Sequence, residues 1–301
     1  MAMIKLNKKH IIIIVLSLSA MLPIRLLSAI GDTDTIYHSF FSKPRFVKNQ
    51  ITFDFNYGLS IFGGAANASN KIANSYNSDL KYVFTRIYPN ENSITKYYAS
   101  EFIGIENISS HFKPSSIKNI GMPADLWRIN IGYRNGNVVE LGKLQSIFYH
   151  SGSLQWSRLD IADYLVNNQS IVQSLDEKFK FGTSFDLGIS TKIYAPFYLN
   201  IQYQSSLIFP NTKVINYALS AVSELIIQRG FDYLDYEYGN IDPVLYPILN
   251  WLAKGTFSYL LYNARETKSF YPYGGGDALR INTFKIGINL LLKSTAREIN
   301  E

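Results

Sequence analysis

The chain has 301 residues, of which 47% are hydrophobic, 15% aromatic and only 17% charged, with a formal net charge of +6. A soluble domain carries about 25% charged residues, so this chain is short of charge. The absence of cysteine excludes disulfide frameworks, thiolate metal sites and cysteine nucleophiles, and the scattered basic residues give no cluster for a nucleic-acid partner.

The N-terminal stretch "MAMIKLNKKHIIIIVLSLSAMLPIRLLSA" predicts a signal peptide over 1–29. Lys5, Lys8 and Lys9 precede an apolar run from Ile11 to Leu22, and Ala20 or Ala29 supplies the small residue for cleavage. Pro23 and Arg25 argue against an anchor helix. Residues 30–50 read as an N-terminal extension.

Strands follow. In "ITFDFNYGLSIF", Ile51, Phe53, Phe55, Tyr57, Leu59 and Ile61 alternate with Thr52, Asp54, Asn56, Gly58 and Ser60. Period two is the strand signature. Weaker alternation marks 80–88, 97–112 and 138–150. "LWRINIGYR" opposes Trp127, Ile129, Ile131 and Tyr133 to Arg128, Asn130, Gly132 and Arg134, and Asn135-Gly136 within "RNGN" reads as a tight hairpin turn. "FDLGISTKIYAPFYLNIQYQSSLIF" gives two further strands around a break at Ala195-Pro196, with Asp186, Lys192, Asn200 and Gln202 on the polar face. "TFKIGINLLL" closes the series with Lys285 and Asn289 opposite Phe284, Ile286 and Ile288, and 294–301 reads as a tail.

Residues 211–266 break the period. "VINYALSAVSELIIQR" carries a narrow polar stripe at Asn216, Ser220, Ser223, Glu224 and Gln228. A second helix, with Asp242 as N-cap and Pro243 at its first position, carries Asn250, Lys254 and Ser258. Both helices are too apolar for solvent. The expectation is one packed unit at the outer end of a barrel, closing or narrowing it; a luminal plug and an interfacial position are the alternatives.

About eight strands is the even count of a small transmembrane barrel, and the connections alternate between long and short as such barrels require. Aromatics recur near strand ends at Phe53, Trp127, Tyr133, Phe185, Phe197 and Phe209, where interfacial girdles sit. On this pattern 51–293 resembles bacterial outer-membrane β-barrel proteins. The resemblance implies an all-β fold with a helical insertion: a closed antiparallel transmembrane β-barrel of about eight strands with a helical hairpin in a long connection. It also implies export to the bacterial outer membrane, with membrane lipid and the barrel-assembly machinery as partners. Such proteins often end on an aromatic, whereas "KSTAREINE" follows Leu292 here. A soluble periplasmic lipocalin-like binding barrel is the alternative, with its apolar face inward.

Asp54, Asn56, Arg128, Asn130, Arg134, Asp186, Lys192, Gln202, Lys285 and Asn289 share the polar face and form the expected luminal polar network. Its readings are mutual satisfaction of confined charges or a selective ion path. Gly58, Gly132, Gly188 and Gly287 lie on the same face, relieving curvature or making space. The role expected is non-enzymatic: binding, passage of a small solute or hydrophobic compound, or structure, with a small or hydrophobic ligand as the open partner. The enzymatic alternative rests on "FYHSGSLQW", where His150 with Ser151 or Ser153 suggests acyl transfer. Outer-membrane lipid A deacylases are similar in being small barrels with His and Ser at the outer rim, but two residues after His150 this chain has Gly152. Asp232, Asp235, Glu237 and Asp242 in "FDYLDYEYGNID" lack EF-hand spacing and read as a linker. No cofactor or metal motif appears.

Overall fold

The computed structural model describes residues 46–63, 72, 74–88, 95–110, 123–142, 144–161, 175, 177–211, 214–238 and 242–298. The signal peptide, the extension up to residue 45 and the last three residues of the tail lie outside the described residues. Eight strands pair in sequence order and close on themselves: β1 Phe46–Gly63, β2 Ser75–Tyr88, β3 Thr95–Ser109, β4 Ala124–Leu141, β5 Leu144–Ile161, β6 Phe179–Tyr194, β7 Phe197–Ile208 and β8 Leu279–Glu298. Between β7 and β8 run two helices, α1 Val214–Tyr238 and α2 Leu245–Thr267.

Register fixes the shape. The row Ile51, Phe84, Glu101, Tyr133, Gly152, Phe185, Ser205, Asn282 returns to β1 at Ile61, ten residues beyond its start. This stagger tilts the strands and leaves a lumen just wide enough for side chains to fill.

The barrel is inside out relative to a soluble one. Phe55, Tyr57, Leu59, Ile61, Ile103, Ile105, Ile129, Ile131, Ile286 and Ile288 point outward and are exposed, whereas Asp54, Lys81, Arg128, Arg134 and Lys285 point inward and are buried. In water this arrangement would leave the apolar wall wet, at about 25 cal/mol for each Å². In lipid it is the stable sense, and strands of 12 to 20 residues exceed the 9–11 needed to cross. The soluble barrel is thereby overturned. Among the described residues no helix is long and apolar enough to cross a membrane; the crossing elements are strands.

The lumen is layered. At the end of the long connections Phe62, Ile108, Leu126, Leu159, Ile208 and Ile281 form a buried apolar cluster. At the short-turn end Ile87, Tyr98, Val138, Ile147, Tyr149 and Tyr198 form another. The charged layer lies between them.

Several boundaries differ from the sequence reading. β1 begins five residues before Ile51, and β8 runs past Leu292 to Glu298, pairing Ala296 with Lys48. The Asn135-Gly136 pair is not a turn. β4 continues to Leu141, which pairs with Leu144 of β5, and Gly142 has φ of +62° at the reversal. The stretch 138–150 is therefore the end of β4 and the start of β5, and β5 continues to Ile161.

Candidate functional site

The charged layer is built from alternate residues of β1, β2, β3, β4, β6 and β8. Four carboxylates (Asp54, Asp79, Glu106, Asp186) face four cations (Lys81, Arg128, Arg134, Lys285), all buried. Lys285 Nζ lies 2.5 Å from Asp79 Oδ2 and 2.7 Å from Glu106 Oε1. Lys81 Nζ lies 3.2 Å from Asp186 and 3.6 Å from Asp79. Arg134 pairs with Asp54 at 2.5 Å and Arg128 with Glu106 at 3.5 Å. Asn56 donates to Asp79 at 2.6 Å, and Asn77 donates to Glu106. Such balance is what a confined, low-dielectric space demands, because an unpaired charge there is far costlier than a paired one.

Of the residues singled out in the sequence, Asp54, Asn56, Arg128, Asn130, Arg134, Asp186, Gln202, Lys285 and Asn289 are buried in the lumen. Lys192 is half-buried near the short-turn end of β6, with no ion pair among the described residues. Asp79, Lys81 and Glu106 were missed. The signal for Asp79 is present in "YNSDLKYVF", where Asn77, Asp79 and Lys81 alternate with outward residues, but a strand begun at 80 leaves it out. Lys81 and Glu106 lie inside the strands read at 80–88 and 97–112, whose mixed alternation marks no polar face. Gly188 leaves the space that the Tyr149 ring occupies, and Tyr149 Oη reaches Asn200 at 2.9 Å and Gln202 at 3.0 Å.

The helices do not cap the barrel mouth. They lie against the outer wall over β4–β8, and the side chains they meet there point outward. Trp251 packs edge-on to Phe148 and donates to the Tyr149 carbonyl at 3.1 Å. Gly255 brings α2 onto Leu187, Tyr262 packs on Phe185 with ring centroids 4.8 Å apart, and Tyr259 approaches Tyr203. The polar stripes face inward and join in three rungs. Arg265 binds Ser220 and Glu224, Gln228 donates to Ser258 at 3.2 Å, and Lys254 pairs with Asp232. Leu219, Val222, Ile226, Leu249 and Leu252 are left on the far, exposed face, and Leu225, also exposed, borders the wall.

The wall beneath carries polar groups that lipid would not tolerate. Asn135 donates to Asp232 at 3.3 Å, Tyr133 to Gln228 at 3.4 Å, and Arg280 to Asn263 at 3.0 Å. The insertion thus covers a polar breach in the apolar belt.

His150 belongs to this breach. It lies within β5 rather than at its outer end, points outward, and is covered by α2, with Nε2 2.9 Å from Ser258 Oγ. Ser151 points the opposite way into the lumen, and Ser153 Oγ pairs with Ser184 Oγ at 2.7 Å. Neighbouring strand residues face opposite sides, so neither serine meets His150. Among the described residues no acid partner meets His150 Nδ1, and the ring is stacked on Phe185. The contact binds helix to barrel. Of the acidic stretch, Asp232 is held in α1, and Asp242 Oδ1 accepts the amides of Val244 and Leu245 before α2 begins. Those amides, Leu245 first, hold the Asp242 carboxyl below its usual range. The remaining acidic side chains, Asp235 and Glu237, lie outside the described residues.

A cavity of about 250 Å³ opens outside the lumen, between α1 and the outward face of β2–β4. Phe84, Tyr133 and Leu225 form its apolar side, and Arg86, Glu101 and Arg229 its charged side.

No family model matches the chain, and no curated protein matches it. Among solved structures it is similar to Neisserial surface protein A, at 7% identity and TM-score 0.32, covering 81% of this chain and 96% of that one. It is also similar to Ail, the attachment invasion locus protein of Yersinia pestis, at 10% identity and TM-score 0.33, covering 81% and 98%. The outer membrane protein OprG from Pseudomonas aeruginosa aligns at 8% identity and TM-score 0.23, over 82% and 94%. Overlaps this weak leave the fold to be argued from the chain's own geometry, as above.

Proposed function

We propose that the protein is a non-enzymatic, non-conducting barrel of the bacterial outer membrane that works through its side wall, as a binding or structural element. The observation that carries the reading is the layered lumen. Two apolar clusters enclose a charge-balanced network, and Lys285 bridges strands across the interior. An ion or solute entering would have to break pairs that are costly to break. The developed surface lies instead where the helical hairpin meets the wall. The long connections face outward from the cell in this reading, as in small outer-membrane barrels.

Planar bilayers test it. Purified protein inserted into a phospholipid bilayer should show no steady conductance at moderate voltage. A reproducible open channel at one insertion per step would overturn the reading.

A further inference from the structure

We infer that the cleft between α1 and the β2–β4 wall binds the phosphate group of a membrane phospholipid. The inference rests on the reading that this barrel sits in a phospholipid bilayer, and it adds a site, a ligand class and a leaflet.

Position comes first. Arg86 lies two residues before the end of β2, and Tyr97 two residues after the start of β3. The cleft therefore opens near the short-turn end, where the apolar belt gives way to polar residues. Most of its strand lining (Phe84, Arg86, Tyr97, Glu101, Tyr133) comes from the outward face, with the inward-facing Ser100 and Arg134 at its floor, so the opening is toward the surrounding lipid. An occupant has to be available from the bilayer.

Charge comes second. Arg86 Nη2 pairs with Glu101 Oε1 at 3.0 Å, and Lys254, behind the cleft, pairs with Asp232. Arg229 lines the same cleft and has no ion pair among the described residues. Arg134, the remaining charged lining residue, pairs with Asp54, so with partners counted there are four cations to three anions. A surplus guanidinium at the edge of the apolar belt is a ready partner for an anion. A phosphodiester supplies one negative charge, and its oxygens suit the planar donor fork of arginine.

Shape comes third. Phe84, Tyr133 and Leu225 give the cleft an apolar side next to its charged side. That pairing fits the junction of a headgroup and its acyl chains, and its apolar side gives free inorganic phosphate nothing to contact.

The test uses the full-length, folded barrel, delipidated in neutral detergent and examined by native mass spectrometry. Three probes are added separately: a phosphatidylethanolamine, the diacylglycerol with the same chains, and sodium phosphate. The phosphatidylethanolamine should add one molecule per barrel, while the diacylglycerol and phosphate should not. Arg229→Gln combined with Arg86→Gln should weaken that adduct about tenfold or more, the scale of one lost charge-assisted contact. Heat-modifiable gel migration reports whether this variant is folded. If it is not, Leu225→Trp, on the exposed face of α1, fills the cleft without removing a charge and should block the adduct. Equal binding of phosphatidylethanolamine and diacylglycerol, or adducts indifferent to these substitutions, would overturn the site. Displacement of the lipid by equimolar phosphate would mean that the site takes a soluble anion, and would overturn the lipid assignment. None of these results bears on conductance, so the site and the closed-lumen reading fail independently.

Discussion

Lys285 of β8 and Asp79 of β2, on strands that do not pair with one another, are joined by a 2.5 Å ion pair across the lumen. Glu106 of β3 holds the same ammonium at 2.7 Å. One side chain thus ties three strands together from inside. Lys285→Met removes the cation but leaves both carboxylates buried. The expected cost is about 3–5 kcal/mol, the usual scale for breaking a buried pair. Adding Asp79→Asn should recover much of it, because the layer then returns to three carboxylates and three cations, with Glu106 still held by Arg128. Urea unfolding in lipid vesicles, followed by gel mobility, measures both variants. A single variant as stable as wild type would show that the network contributes little.

Two glycines allow close approach by different neighbours, and their alanine variants should differ. A Cβ on Gly188 would run into the Tyr149 ring, which is pinned in the lumen by Asn200 and Gln202. A Cβ on Gly255 would lie 2.5 Å from Leu187 Cδ2, the far end of a flexible side chain. Gly188→Ala is therefore expected to cost about 1–3 kcal/mol, the range for overpacking, and Gly255→Ala less. Gly255→Leu should part the helix from the wall, read as faster proteolysis of the hairpin while the barrel band stays intact.

Much of the barrel was legible because lipid on one side and confined charge on the other enforce strict alternation. Strand ends were harder to place. Asn135-Gly136 carries a strong turn signal, yet β4 passes straight through it. Asn135 is engaged by Asp232 from a helix almost a hundred residues away, and a Cβ on Gly136 would collide with the Phe148 carbonyl of the partner strand. Neither contact has a local signature. The helices show the same limit more sharply. Their polar stripes were correctly found at Ser220, Glu224, Gln228, Lys254 and Ser258. An amphipathic pattern does not say which face looks outward, and here the medium reverses the usual sense. His150 failed for a third reason. A histidine beside serines in sequence lies on the opposite strand face from its immediate neighbour, and the serine it meets is 108 residues away.

Asp242 gives a pH dependence confined to the linker between the helices. Its carboxylate accepts the amides of Leu245 and Val244, which lowers its pKa below the usual value. A depressed folded-state pKa means that the capping contribution is full above the unfolded-state pKa. It is lost as pH falls through the lower, folded-state value. Asp242→Asn keeps an oxygen acceptor and removes the titration, so the hydrogen-exchange protection factors in the first turn of α2, taken against the intrinsic rate at each pH, should stop responding to acid below about pH 4. Wild type should show falling protection there as pH drops, while barrel strands remain protected. Identical acid responses in the two proteins would remove Asp242 as the cause.

Removing the hairpin separates its two conceivable roles. Placed at the barrel mouth, its loss would open a path; placed on the wall, its loss exposes polar groups to lipid. Contacts from Trp251 to the Tyr149 carbonyl, Ser258 to His150 and Asn263 to Arg280 all lie on the wall. Deleting 213–266, with a short Gly/Ser linker, should therefore leave conductance at zero. Stability should fall by several kcal/mol, because His150 and Asn135 then face hydrocarbon without partners and each such group is costly there. Arg280 should add only about 0–1 kcal/mol, because it lies near the long-connection end of β8, where arginine reaches the interface. A deletion variant carrying His150→Leu and Asn135→Leu should regain most of the loss, since the wall then matches its new surroundings. Vesicle unfolding and planar-bilayer recording on the same preparations give both quantities. Conductance appearing on deletion, with stability unchanged, would place the hairpin's work at the lumen after all. Stability restored by the leucines, with no current in any variant, is the outcome expected of a helical cover on a closed barrel.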